Sequence, residues 1–199
     1  VPLKTLHVVC AYLLGSIPFG VLLTRWRMGV DVRSQGSGNI GATNVARVAG
    51  KAWGALVLLL DAAKGALPVA CAVALFPDGQ GPNVRGFHAG VALAAFLGHL
   101  FPPWLRFKGG KGVATALGVL LVLEPAAALA GLGAFAVVVG LWRKSSLGSL
   151  TGGLLCVTVA FLSARPREYA LLALLLFSLM LITHRRNLQR LLERNEPSV

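Results

Sequence analysis

Residues 52–76 read AWGALVLLLDAAKGALPVACAVALF, twenty-five positions with only two charged side chains, Asp61 and Lys64. A helix rises 1.5 Å per residue, so about 20 apolar residues cross a ~30 Å hydrocarbon layer. This stretch is therefore read as a membrane crossing. Outward from it the pattern repeats. Leu6–Leu23 is a first crossing, then a polar loop runs from Thr24 to Lys51. Phe87–Leu105, Val113–Leu123, Ala126–Trp142, Leu150–Ser163 and Tyr169–Thr183 follow, separated by the segments Pro77–Gly86, Arg106–Gly112, Glu124-Pro125, Arg143–Ser149 and Arg165–Glu168. Seven crossings result. Val113–Leu123 and Leu150–Ser163 are too short to cross alone, so they are half-helices or borrow from their loops; five or six crossings with re-entrant pieces is the alternative.

Composition agrees. The chain is 56% hydrophobic and 13% charged, with mean hydropathy +0.73. Soluble domains are about a quarter charged, which excludes water as the solvent for most of this surface. The expected fold is all-α: one polytopic helix bundle over residues 1–199 with about seven transmembrane helices. The net charge of +12 would suggest nucleic acid in a soluble protein; here it reads as basic flanks on the cytoplasmic side of the crossings. Fourteen of the nineteen lysines and arginines fall on one set of alternate loops and the C-terminal tail. Lys4, Arg85, Arg165 and Arg167 fall on the other face, and Lys64 lies inside a crossing. The positive-inside rule then puts the N-terminus outside and the C-terminus in the cytoplasm. The first apolar stretch lacks a basic leader and a cleavage site, and is expected to be a retained crossing. Cys10, Cys71 and Cys156 are scattered through apolar stretches, so no disulfide framework or zinc site is indicated.

The chemistry gathers in the basic loops. The first carries Gly36-Ser37-Gly38-Asn39-Ile40-Gly41-Ala42-Thr43-Asn44, with Arg47 just beyond. It fits GxGxxG literally, and Asp61 follows at a suggestive distance, but no strand precedes the glycines and Asp61 falls inside a crossing. Dinucleotide binding is excluded on that context. What survives is an expected anion nest. The backbone amides of Gly36, Gly38 and Gly41 converge, Ser37, Asn39, Thr43 and Asn44 add neutral donors, and Arg47 adds a planar fork for phosphate. A plain connector rarely carries two asparagines and an arginine as well.

The second loop, Phe107-Lys108-Gly109-Gly110-Lys111-Gly112-Val113-Ala114-Thr115, enters a helix, whose N-terminus favours an anion. It is not a Walker A loop, because Gly follows Lys111. Ser145 and Ser146 cap the next helix or bind phosphate oxygens; the sequence leaves both open. His184, Asn187 and Arg190 share one face if the helix continues through them. His99 is a buried structural histidine or faces the site. Asp61 and Lys64 are an internal ion pair, with packing and direct roles equally open.

Together these pieces resemble the bacterial acyl-phosphate-dependent glycerol-3-phosphate acyltransferase family (PlsY-type). The likeness runs through Ser16-x-Pro18-x-Gly20, Gly36–Asn44 with Arg47, Asp61-Ala62-Ala63-Lys64-Gly65, Gly98-His99-x-Phe101-Pro102, Phe107–Thr115, Ser145-Ser146, His184-x-x-Asn187 with Arg190, and Glu196-Pro197. The resemblance implies acyl transfer from acyl phosphate to the 1-hydroxyl of sn-glycerol 3-phosphate at the cytoplasmic side of a bacterial inner membrane. The products would be lysophosphatidic acid and phosphate, within phospholipid biosynthesis. It implies membrane lipid as a partner, no nucleic acid, and neither metal nor cofactor. The catalytic set expected is Ser37, Asn39, Arg47, Lys108, His184 and Asn187. Substrate and phosphate binding falls to Gly36, Gly38, Gly41, Thr43, Asn44, Gly109, Gly110, Lys111, Gly112, Thr115, Ser145, Ser146 and Arg190.

The residues support this chemistry independently. A mixed anhydride is already activated, so a protein nucleophile is not required. Five residues after His7, His88, His99 and His184 stand Tyr12, Leu93, Trp104 and Gln189, so the HxxxxD signature of thioester-dependent acyltransferases is missing. With no obvious base, the donor phosphate itself is expected to take the hydroxyl proton. An anion transporter is the rival reading. It would place its polar groups near the midplane and commonly show internal repeats, whereas here they gather at one surface.

Overall fold

The computed structural model describes residues 2–79, 83–163 and 166–196. Arg165 of the charge count and Pro197 of the last motif lie outside them. By internal packing the chain divides into two compact units, Val1–Val119 and Leu120–Val199.

The first unit opens with α1 (Pro2–Gly15) and α2 (Phe19–Met28), one apolar run broken at Ser16-Ile17-Pro18. Proline has no amide hydrogen to continue the ladder, and its ring clashes with the preceding turn, so the helix stops and restarts. A short 3₁₀ turn (Val32–Ser34) and α3 (Ala42–Ala49) give order to the loop that the sequence leaves irregular. α4 (Lys51–Leu75) and α5 (Val84–Leu100) are long apolar helices, and a second 3₁₀ turn (Pro103–Leu105) follows α5. α5 lies close against α1, since a Cβ at Gly98 would run into the carbonyl of Tyr12. Such backbone approach at small residues is the usual way helices associate in lipid. α6 (Val113–Leu123) starts directly after the second glycine loop.

The second unit holds α7 (Pro125–Trp142), α8 (Ser145–Leu162), α9 (Arg167–Thr183) and α10 (Arg185–Leu192). α8 decides between the two alternatives left for Leu150–Ser163: it borrows from its loop. Its first turn is the serine segment taken for loop, and at 18 residues it is long enough to cross.

Five stretches are long and apolar enough to span: Pro2–Met28, Lys51–Leu75, Val84–Leu105, Pro125–Trp142 and Ser145–Leu162. α9 and α10 qualify only as a pair bent by 63°, which would be a sixth. α6, with 11 residues, spans only about 16 Å. Full crossings therefore number five or six among the described residues, with α6 as a short apolar helix beside them. The surface supports lipid as the solvent. Leu59, Leu75, Leu141 and Leu162 are exposed along the helices, whereas Asp61, Lys64, His99 and Glu124 are buried. Apolar groups outside and ionisable groups inside suit a hydrocarbon environment.

Candidate active site

In the first unit both glycine loops stand on one apolar cluster. Val21, Val32, Ile40, Val45, Val57 and Leu105 are all buried there. Ile40 and Val45 anchor the first loop, and Leu105 precedes the second.

Asp31 begins the first loop. Its Oδ1 accepts the Arg33 backbone N–H at 3.0 Å, and its carboxylate sits 2.7 Å from the Arg25 guanidinium and 2.6 Å from that of Arg33. The hydrogen-bonded Arg33 side chain, with help from Arg25, holds this carboxyl far below the ordinary carboxylate range and raises Arg33 in turn. The turn so fixed drives Val32 into the cluster and presents its carbonyl to Asn44.

Asn44 then organises the rest. Its Oδ1 accepts the Ser37 N–H at 2.8 Å, and its Nδ2 donates to the carbonyls of Val32 (3.2 Å), Gln35 (3.0 Å) and Asn39 (2.9 Å). At 2% exposure Asn44 faces inward. It is a tie rod inside the loop, not the phosphate ligand expected. Gly38, at φ 72°, closes a turn by donating to Gln35 O at 3.0 Å, in a backbone region that side chains disfavour. The Gly41 N–H donates to Asn39 Oδ1 at 2.8 Å.

The second loop folds back on the end of α5. The Lys108, Gly109 and Gly110 amides donate to the carbonyls of Leu105 (3.1 Å), Leu100 (3.0 Å) and His99 (3.1 Å). Tyr12 Oη donates to Phe101 O at 2.7 Å, and Trp104 Nε1 to Ser16 Oγ at 2.7 Å, which ties this segment to the helix break.

The expected backbone nest is thus largely closed: the amides of Ser37, Gly38, Gly41, Gly109 and Gly110 already have protein acceptors. Without a protein partner among the described residues are the Ser37 hydroxyl, the Asn39 Nδ2, the amides of Ala42 and Thr43 in the first turn of α3, and the exposed Lys108 ammonium. Arg47 is exposed at the last turn of α3, Thr43 is half-buried beside its first, and Lys111 is half-buried next to Gly112. The groups this unit offers to an anion are therefore side chains more than backbone. Thr115 is fully buried with its hydroxyl unpartnered, inside α6 and not on the loop surface.

The second unit holds its own cluster. Glu196 Oε1 accepts from Ser146 Oγ at 2.5 Å and from Asn187 Nδ2 at 3.1 Å, and the Lys144 ammonium donates to the Glu196 carbonyl. Ser146 and Glu196 are buried. Ser145 opens α8, and its carbonyl accepts from Ser149 Oγ at 2.8 Å. The single polar stripe expected of the tail is broken at His184, where α9 bends into α10; this ring is buried with Nδ1 2.8 Å from Met180 O. Asn187 is half-buried and Arg190 exposed.

Two organisers escaped the sequence reading. Asp31 was signalled by Asp-x-Arg ahead of a turn, an Asx-type cap. Glu196 was noticed only as part of a motif. Replacing Asp31 by Ala is expected to speed hydrogen exchange of the 34–38 amides several-fold at pH 7. The carboxyl titrates below its unfolded value of ~3.9, so its contribution is complete above that pH and disappears as pH falls through the lower folded value. Wild type and variant are expected to converge in acid; equal exchange at pH 7 would count against the anchor.

A family model described as glycerol-3-phosphate acyltransferase matches residues 5–194. A glycerol-3-phosphate acyltransferase of Myxococcus xanthus (strain DK1622) is 62% identical over 189 residues, covering 95% of this chain and 96% of that protein. One of Syntrophotalea carbinolica is 49% identical over 191 residues, covering 94% and 93%. A crystal structure of PlsY, an integral membrane glycerol 3-phosphate acyltransferase, in its glycerol 3-phosphate form matches with TM-score 0.91 at 38% identity, over 98% of this chain and 95% of that one. Its lysophosphatidic acid form matches with TM-score 0.87 at 36% identity, over 98% and 94%.

Proposed function

The chain belongs to the glycerol-3-phosphate acyltransferase family, PlsY-type, and from that premise we propose that it acylates the 1-hydroxyl of sn-glycerol 3-phosphate with acyl phosphate as donor. The observation that carries this reading is the mounting of two loops around one buried apolar cluster, where among the described residues the Ser37 hydroxyl, the Asn39 Nδ2, the first amides of α3 and the Lys108 ammonium meet no protein partner. A donor with an apolar tail and a phosphate head fits such a boundary between greasy and polar surfaces.

The hydroxyl oxygen attacks the acyl carbonyl carbon, and the bond from that carbon to the phosphate oxygen breaks. Inorganic phosphate leaves and 1-acyl-glycerol 3-phosphate forms. The hydroxyl proton passes to the departing phosphate, which is basic enough to make a protein base unnecessary. Lys108 and Arg47 neutralise phosphate charge, Lys111 adds a second ammonium, and Ser37 and Asn39 orient the acceptor or hold the developing oxyanion. His184, Asn187 and Arg190 stay assigned to the second unit, where Glu196 fixes the orientation of Asn187.

The reading takes 1–199 as one functional domain. Seven helices enter the bacterial inner membrane, α6 as the short one, with the basic loops and the chemistry on the cytoplasmic side. The test offers purified protein acyl phosphate, acyl-CoA and acyl carrier protein donors in parallel, with labelled glycerol 3-phosphate in detergent. Lysophosphatidic acid is expected from acyl phosphate alone. Turnover from a thioester donor without acyl phosphate would overturn the donor assignment, and no product from any donor would overturn the activity.

A further inference from the structure

An ion pair lies inside α4, where charge is costly and a packed hydrocarbon side chain would serve packing as well. Asp61 Oδ1 and Lys64 Nζ are 2.7 Å apart, both side chains essentially inaccessible. The pair is connected in two directions. Lys64 Nζ donates to the Ile17 carbonyl at 2.8 Å, in the break between α1 and α2, and lies 5.7 Å from the Phe19 ring centroid. On the other side the buried His99 brings Nδ1 to 3.8 Å from Asp61 Oδ1, too far for a direct hydrogen bond, and among the described residues this nitrogen has no hydrogen-bond partner.

The opposite edge of the same ring meets the second glycine loop. A Cβ at Gly110 would run into His99 Nε2, and the Gly110 N–H donates to the His99 carbonyl at 3.1 Å. One residue thus touches Gly110 with both its backbone and its ring. Gly110 sits between Lys108 and Lys111, so the position of the ring sets how far the loop can settle toward α4.

We propose that His99, held between the Asp61–Lys64 pair and Gly110, is a positioning residue for the 108–112 loop and sets the affinity of that loop for a substrate phosphate. The claim rests on the acyltransferase reading for the identity of the substrates. His99 reaches no substrate itself. It fixes the loop that carries Lys108 and Lys111, and displacement of such groups by about 1 Å costs on the order of 10²-fold.

The test compares wild type, His99→Asn, His99→Gln and Asp61→Asn in turnover of acyl phosphate and glycerol 3-phosphate, with melting temperature in detergent as the folding control. His99→Asn is expected to raise KM for one phosphate substrate about tenfold, the effect of a displacement smaller than about 1 Å, with kcat changed much less. His99→Gln, whose amide reaches toward the Nε2 position, recovers part of that loss. Asp61→Asn moves KM in the same direction. A loss confined to kcat, or KM values unchanged in folded variants, overturns the proposal.

A second arm covers variants that fail to fold. Gly110→Ala forces a methyl against the ring, and combining it with His99→Ala is expected to restore part of the activity lost by Gly110→Ala alone. A double variant no better than the single one overturns the proposal. Calorimetry with inorganic phosphate makes the same comparisons without turnover. A wild-type protein that binds phosphate but never acylates sinks the acyltransferase reading, while the His99 effect on phosphate affinity is still read directly.

Discussion

Lys108→Met is expected to lower kcat/KM by about 10²–10³, equivalent to ~3–4 kcal/mol of lost transition-state stabilisation. Lys108 is exposed, and its ammonium donates to no protein acceptor among the described residues. Its backbone is fixed by donation to Leu105 O at 3.1 Å. It is therefore a cation on a rigid mount, and nothing in the fold needs its charge. In the proposed reaction the charge it would meet grows as the anhydride opens, because the departing phosphate gains negative charge when its bond to the acyl carbon breaks. The variant should melt at the wild-type temperature. Lys108→Arg should recover only part of the rate, since a planar fork cannot reproduce a compact ammonium. The measurement is steady-state turnover with acyl phosphate varied at saturating glycerol 3-phosphate. A loss under threefold would remove Lys108 from the chemistry.

Asn44→Ala is the second large effect, and it works through structure. The substitution strips the Ser37 N–H of its acceptor and three carbonyls of their donor. Net losses of about 1 kcal/mol per hydrogen bond, and more where a buried group is orphaned, put the local cost at several kcal/mol. α1, α4 and α5 also pack directly on one another outside this loop, so the protein is expected to remain folded while residues 32–44 lose their arrangement. Activity should fall at least as far as in Lys108→Met, accompanied by fast hydrogen exchange at 37–41, which Lys108→Met should not cause. Asn44→Asp is no rescue: it keeps an acceptor for Ser37 but turns a carboxylate toward three carbonyls. Near wild-type turnover in Asn44→Ala would show that the loop does not organise the reacting groups.

The long helices were legible because apolar run length is a local property. Ala52–Phe76 and α4 differ by one residue at each end, and α6 coincides with its expected range. The start of α8 was left open in the sequence, between a half-helix and one that borrows from its loop. Ser145, Ser146 and Ser149 look like loop residues, yet Ser149 Oγ is satisfied by the Ser145 carbonyl and Ser146 Oγ by Glu196. A hydroxyl that bonds back into its own helix or to a distant carboxylate costs the helix little. The residue types of the site were likewise visible, but their division of labour was not. Asn44 and Asn39 stand in the same glycine-rich segment, and only the folded loop turns Asn44 inward and leaves the Asn39 Nδ2 open. Glu196 and Ser146 meet across fifty residues of chain, a separation at which residue spacing carries no information.

The Ile17 carbonyl at the proline break accepts both the Phe19 N–H at 3.1 Å and the ammonium of Lys64, a residue well inside the neighbouring crossing. Sliding either helix along the other would pull a buried ammonium away from its acceptors and into hydrocarbon, so the contact works as a depth gauge. Stretching or thinning the bilayer can tilt the first unit as a block, but cannot raise the Ser16–Pro18 corner relative to α4. The loops resting on that corner keep their height relative to α4 as lipid thickness changes.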